Sequence, residues 1–191
     1  AGTGSWSLSA ANSYTTTAID AGTLAILSPG TAGSGTVTVN ATSTLVGTGT
    51  IPGDLTVAGG TVAPGTLAGS IGTLTITGAL GGTSGSLAMG MATTTADLLQ
   101  VNKAGAGPVT LTNLTLALSG TYTLVTATLL NFPNGTHATT FASVTGLPAI
   151  CSGPNYLTNS VTITPPTLDL VWTAACTGTG TTTNRNWVLG N

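Results

Sequence analysis

Charge is almost missing from this chain. Asp, Glu, Lys and Arg together make up 3% of its 191 residues, against roughly 25% in an average soluble domain. Glutamate does not occur, and the acidic and basic side chains reduce to Asp20, Asp54, Asp97, Asp169, Lys103, Arg185 and His137. Two cations cannot make the several phosphate contacts that nucleic-acid binding requires, so nucleic acid is excluded as a partner. A net charge of -2 leaves little repulsion between copies, which favours self-association. Few groups change charge as pH falls, so acid is expected to weaken the fold little.

Long apolar runs are missing too. Mean hydropathy is +0.45, yet no run reaches the roughly 18 to 20 residues that cross a bilayer as a helix, so membrane insertion is not expected. The chain starts at Ala1 with neither Met nor a charged-then-apolar leader, which fits a mature secreted form. Cysteine is confined to Cys151 and Cys176, which lack the clustered spacing of a zinc site and read as one disulfide, the alternative being two buried thiols. Such a bridge stabilises by roughly 3 kcal/mol in the chain-entropy model and persists in an oxidising compartment. The expected location is extracellular, at a cell surface.

What is present is threonine and glycine. Thr fills 43 positions and Gly 28, and Thr suits a pleated, half-buried surface. A short unit recurs over the first hundred residues: a Gly, often a Thr, then an alternating apolar segment. It appears as Gly22-Thr-Leu-Ala-Ile-Leu27, Gly35-Thr-Val-Thr-Val-Asn40, Gly53-Asp-Leu-Thr-Val-Ala58, Gly72-Thr-Leu-Thr-Ile-Thr77 and Gly85-Ser-Leu-Ala-Met-Gly90. Each reads as a strand preceded by a turn. Gly22, Gly35, Gly47, Gly60, Gly72 and Gly85 stand 13, 12, 13, 12 and 13 residues apart, so two units make about 25 residues, the size of one coil of a parallel β-solenoid. Leu24, Ile26, Val37, Val39, Leu55, Val57, Leu74 and Ile76 fall at period two and should face a common core.

From about residue 104 the Gly-Thr register gives way to longer apolar segments and turns at Pro133, Pro148, Pro154 and Pro165-Pro166. The expected organisation is a parallel β-solenoid repeat region over 1–103 and a C-terminal β module over 104–191, built from antiparallel hairpins and carrying the disulfide.

The run Leu8-Ser-Ala-Ala-Asn-Ser-Tyr14, followed by Thr15-Thr-Thr-Ala-Ile-Asp-Ala-Gly-Thr-Leu24, resembles the autotransporter-associated β-strand repeat of bacterial surface proteins. That repeat runs Leu-x-Gly-x-Asn-x-Tyr, then a Thr- and Gly-rich stretch, then Ile-x-x-Gly-Thr-Leu. Thr48-Gly-Thr-Ile51, Val57-Ala-Gly-Gly-Thr-Val-Ala-Pro-Gly65 and Gly72-Thr-Leu-Thr-Ile-Thr-Gly78 look like later parts of such passengers, so the resemblance covers roughly residues 6–100. It departs where Thr15-Thr16-Thr17 replace the Gly pair that usually follows the Tyr. The resemblance implies a right-handed parallel β-helix displayed at a cell surface, and no particular chemistry.

Residues for catalysis are scarce. Glycoside hydrolysis needs two carboxyls within about 5 to 10 Å, and Asp54 and Asp97 are 43 positions apart; an Asp in a Gly-Asp-Leu turn is better explained as a cap on backbone groups. His137 lies in a turn sequence, and no nucleophile-elbow pattern surrounds any serine, so it reads as an exposed loop histidine. Gly47-Thr-Gly49 lacks the Lys of a phosphate-binding loop, and a calcium site needs more carboxylates than are available. No catalytic, cofactor or metal site is therefore expected. Asn40, Asn113 and Asn134 each open an Asn-x-Thr triplet that a glycosylating host could modify. Trp6, Trp172 and Trp187 sit near the termini, either capping the apolar core or anchoring one subunit on another. On the second reading Trp6, Leu8, Trp187 and Leu189 are the intersubunit anchors.

The sequence thus points to an all-β extracellular structural protein, a self-assembling subunit of a filament, fibre or coat whose main partner is itself. The alternative is a cell-surface adhesin that binds glycans.

Overall fold

The computed structural model describes residues 2–66, 69–92, 95–103, 108–120, 127–134, 136–137, 140–147, 154–157 and 160–163. Its regular elements among these are all strands: β1 (Ser5–Leu8), β2 (Thr17–Ile19), β3 (Gly22–Ile26), β4 (Val37–Asn40), β5 (Ser43–Gly47), β6 (Thr50–Ile51), β7 (Leu55–Pro64), β8 (Thr73–Ile76) and β9 (Leu80–Met91). These are followed by β10 (Leu98–Val101), β11 (Pro108–Val109), β12 (Thr115–Gly120), β13 (Ala127–Asn131), β14 (Thr136–His137), β15 (Ser143–Thr145), β16 (Pro154–Leu157) and β17 (Ser160–Ile163). They form one 11-stranded and one 6-stranded sheet. All-β architecture follows from Thr and β-branched residues at period two, with no apolar stripe at helical spacing.

Pairing is parallel throughout β1 to β15, and it falls into three ladders. The first joins β2, β4, the first half of β7, the first half of β9, β11 and β14. The second joins β1, β3, β5, the second half of β7, the second half of β9, β12 and β15. The third joins β6, β8, β10 and β13, with a bridge from Thr31 to Thr50 ahead of it. From β2 to β15 the chain visits first, second and third ladder in the same order on every pass.

Parallel register places like beside like. In the second ladder Trp6, Leu24, Leu45, Val62, Leu87, Leu116 and Val144 are successive partners. In the first, Val37, Leu55, Leu80 and Val109 align, and in the third Leu74, Leu99 and Leu130 do. Side chains of all three ladders meet in one hydrophobic cluster in which Ile26, Leu45, Ile51, Val57, Leu74, Ile76 and Leu99 are completely buried. Each buried Leu or Ile stabilises by roughly 1.5–3 kcal/mol through area removed from water, so the columns are the main source of stability.

Strands β7 and β9 run 10 and 12 residues because each serves two ladders in turn. A bend is needed where the ladders change, and the register shifts there, between Val57 and Thr61. Gly59 and Gly85 hold φ of 100° and 109° at these bends, a region closed to side-chain-bearing residues. A Cβ on Gly85 would also run into the backbone oxygen of Gly60.

Partner offsets from β6 through β8 to β10, and at most positions between β7 and β9, are 25 residues, as in Thr50 to Thr75 to Gln100 and Leu55 to Leu80, matching the glycine spacing. Elsewhere they vary: Trp6 to Leu24 is 18, Leu45 to Val62 is 17, and Leu87 to Leu116 is 29. Parallel pairing also continues past residue 104 through β11, β12, β13, β14 and β15. Among the described residues, the antiparallel pairing expected across the C-terminal half is confined to β16 with β17 and β17 with β13.

Replacing Gly85 with Ala is expected to cost on the order of 1–3 kcal/mol in chemical denaturation, from the disallowed φ and the Gly60 contact. Gly81→Ala, where nothing lies within 4 Å of the added methyl, should be close to neutral; equal losses at both positions would contradict the bend assignment.

Candidate functional site

A parallel stack has two ends, and backbone groups on the outer edge of its terminal strands have no strand to pair with. Among the described residues β1 pairs with β3 alone and β2 with β4 alone, so these two strands form one open end. Trp6 occupies the inward column, in register with Leu24, but with no strand beyond it the indole is 73% exposed. Tyr14 is exposed beside it. Together with Leu8, Ile19, Leu24, Thr17 and Asp20 they line a groove of about 520 Å³. Its floor is the continuation of the core: Leu8 and Leu24 pack against the buried cluster from the open side. Thr17 adds a buried hydroxyl oxygen without a hydrogen-bond partner.

The groove contains one charged side chain. Asp20 is exposed, and its Oδ1 accepts a hydrogen bond from Nδ2 of Asn40 at 2.7 Å. This contact ties the turn after β2 to the end of β4. Asn40 was a candidate glycan acceptor, and the atom that a glycan would use is the one that donates here. Asn113 is exposed, with its amide 3.4 Å from the carbonyl of Gly82, and Asn134 is exposed in the turn after β13. Of the four anchor residues, Trp6 and Leu8 lie together on β1, whereas Trp187 and Leu189 are outside the described residues. Cys151, Cys176, Trp172, Asp169 and Arg185 also lie outside them.

The two carboxylates considered for catalysis serve different turns. Oδ1 of Asp54 accepts from the Ala79 amide at 2.7 Å, bridging to the neighbouring strand 25 residues on. Asp97 is only 4% exposed, and its two oxygens accept from the amides of Gly72 at 2.8 Å and Gly90 at 2.7 Å. One carboxylate thereby fastens the start of β8, the end of β9 and the approach to β10. Sequence reasoning recognised Asp54 as a cap and missed this role for Asp97. The available signal was its position, 25 residues after Gly72. His137 is in β14, its backbone opposite Val109. Among the described residues no group of three or more His, Cys, Asp or Glu side chains is placed to hold a metal.

Burial pushes the Asp97 carboxyl above the ordinary carboxylate range, and the hydrogen bonds from Gly90 and Gly72 act in the opposite direction. Since the folded form holds this proton more tightly than the unfolded form, the associated stability is complete below the unfolded value of about 3.9. It is lost as pH rises through the raised folded value. The thermal midpoint should therefore climb as pH is lowered from 7 towards 4, and Asp97→Asn should flatten that climb. The same variant turns an amide NH2 towards one of the two backbone donors and should cost about 1–3 kcal/mol at neutral pH. A variant as stable as the parent, with an unchanged pH profile, would contradict the fastening role.

No protein-family model matches the chain, and a search of curated proteins finds no relative.

Proposed function

We propose that this is an extracellular structural protein that assembles with copies of itself into a surface filament, fibre or coat. The observation that carries the reading is the open end formed by β1 and β2, where an apolar column that runs through the molecule reaches solvent as Trp6. Exposed aromatic surface beside unpaired strand edges is a template for further pairing. A charge content of 3% supplies little repulsion to prevent it. Among the described residues no strand contains Lys, Arg, Asp or Glu, the residues that commonly keep edge strands apart.

In this proposal the three ladders are the three faces of a parallel β-helix. Their unvarying order of visitation and shared core support it, and so does the resemblance of residues 6–100 to autotransporter-associated repeats. Right-handed winding is the expected hand, because parallel crossovers are right-handed in about 98% of cases. Strands β16 and β17 would run antiparallel to one another at the far end of the third face. A cell-surface or secreted setting suits a disulfide between Cys151 and Cys176.

An adhesin reading is favoured by one feature, the presence of Trp6, Tyr14 and Asp20 around a single groove, since flat aromatic faces and an acceptor are suited to sugars. Electron microscopy of the purified chain, with sedimentation over a range of concentrations, separates the two. Self-assembly predicts regular fibres and a mass that grows with concentration. Single chains at high concentration, together with reproducible binding of one sugar class on a glycan array, would favour the adhesin instead.

A further inference from the structure

At the open end the inward column stops on a Trp-x-Leu pattern. Trp6 and Leu8 stand at alternate positions of β1, in register with Leu24 and Ile26 of β3, and both line the groove. The chain has three tryptophans, and a second Trp-x-Leu occurs at Trp187 and Leu189, within Asn184-Arg-Asn-Trp-Val-Leu-Gly-Asn191. A parallel register that sets Trp187 opposite Trp6 also sets Leu189 opposite Leu8, Asn186 opposite Ser5 and Arg185 opposite Gly4. The inward column then gains one apolar member. Asn186 likewise extends the outward polar column of Ser5, Thr23, Thr44 and Thr61.

Charge agrees with that register. Asp20 is the one charged side chain lining the groove, and Arg185 is the chain's one arginine. Gly4, the residue opposite Arg185, lines the groove together with Asp20 and Ala21, and its carbonyl accepts from the amide of Thr23 at 3.0 Å. An extended arginine at that position reaches the Asp20 carboxylate. The groove also holds an acceptor without a partner, the Thr17 hydroxyl oxygen, and an indole N–H is a donor. The supply of chain comes from the opposite end of the stack, where β17 lies on β13 at the far end of the third ladder. From β1 to β15 the second ladder spans about 29 Å at the usual strand spacing, so a chain leaving the far end has its own β1 behind it and meets that of a copy lined up ahead. Arg185 stands 22 positions after Ile163, a reach of up to roughly 70 Å when extended, so two bodies can be bridged without their last strands meeting.

We propose that residues 184–191 of one copy add as a parallel strand to the outer edge of β1 in the next, with Trp187 filling the groove against Trp6 and Arg185 paired with Asp20. The segment lies outside the described residues, and the inference rests on the self-assembly reading, whose contact it names. Backbone hydrogen bonds to β1 supply strength, and alternate side chains entering the groove supply specificity. An exposed ion pair adds little strength, so Arg185 fixes the register and the indole carries the affinity. Donor and acceptor are different surfaces of one chain, and such a contact runs on from copy to copy as a filament.

Blocking the segment and the edge separately tests the exchange. A lysine opposes strand addition, so Trp6→Lys closes the acceptor and Trp187→Lys spoils the donor; Ser7→Lys and Leu189→Lys replace them should circular dichroism show that either fails to fold. In sedimentation velocity each variant alone is expected to run as a single chain. An equimolar mixture should form a species of two chains and nothing longer, because the intact segment of Trp6→Lys enters the intact edge of Trp187→Lys. A synthetic peptide of residues 184–191 in excess should reduce the parent's fibres to single chains, and the same peptide carrying Trp187→Ser should not. Asp20→Arg should weaken binding of the peptide several-fold, and Arg185→Asp in the peptide should restore it on that variant. The contact is overturned if either variant alone still polymerises, if the mixture stays as single chains, or if the Trp187→Ser peptide blocks assembly as well as the unaltered one; absence of the charge-swap recovery overturns the register. A parent chain that never assembles would instead sink the self-assembly reading on which the contact rests.

Discussion

In-register parallel pairing is the interaction on which this molecule depends. A parallel ladder sets each residue beside its counterpart on the next strand, so a strand with apolar residues at alternate positions extends a column instead of creating a new core. The column of Trp6, Leu24, Leu45, Val62, Leu87, Leu116 and Val144 is this principle repeated through seven strands. Nothing within such a column specifies where it should stop. Its ends are defined by whatever covers them, and at β1 the described residues supply no cover.

Scarce charge and the column architecture reinforce each other. Lys, Arg, Asp and Glu on the strands would keep edges apart and limit stacking, and none occurs on the described strands. Polarity is carried instead by hydroxyls and amides that bond to their own kind along the stack, such as Thr115 with Ser143 and Gln100 with Asn131. Where a carboxylate is buried, as at Asp97, it satisfies backbone amides at a junction of strands. Asp20, Asp54 and Asp97 therefore serve turns and junctions of strands.

Much of the fold was legible in the sequence for a physical reason: period two at Leu24, Ile26, Val37 and Val39 identifies inward faces without knowledge of partners. The 25-residue spacing was read correctly where strand pairing is regular, between β6 and β10. It failed near the start and beyond β9, because loops between ladders can change length without disturbing register within them. Residues 108–147 do not keep the 12- and 13-residue glycine spacing, and their parallel pairing was not legible. It is dictated by the edge that β9 and β10 present, and not by local sequence. Trp6 and Leu8 could be picked out as candidate anchors from chemistry and position alone. The column that runs from β1 to β15 could not, since it appears only when the pairing between them is known.

The account's central claim is that the stack axis is also the axis of assembly. X-ray diffraction from aligned fibres of the parent chain measures this directly. Strands stacked along the fibre predict a reflection at about 4.7–4.9 Å, the inter-strand spacing, lying along the fibre axis. The same spacing found perpendicular to that axis, or fibres that lack it, would contradict the account.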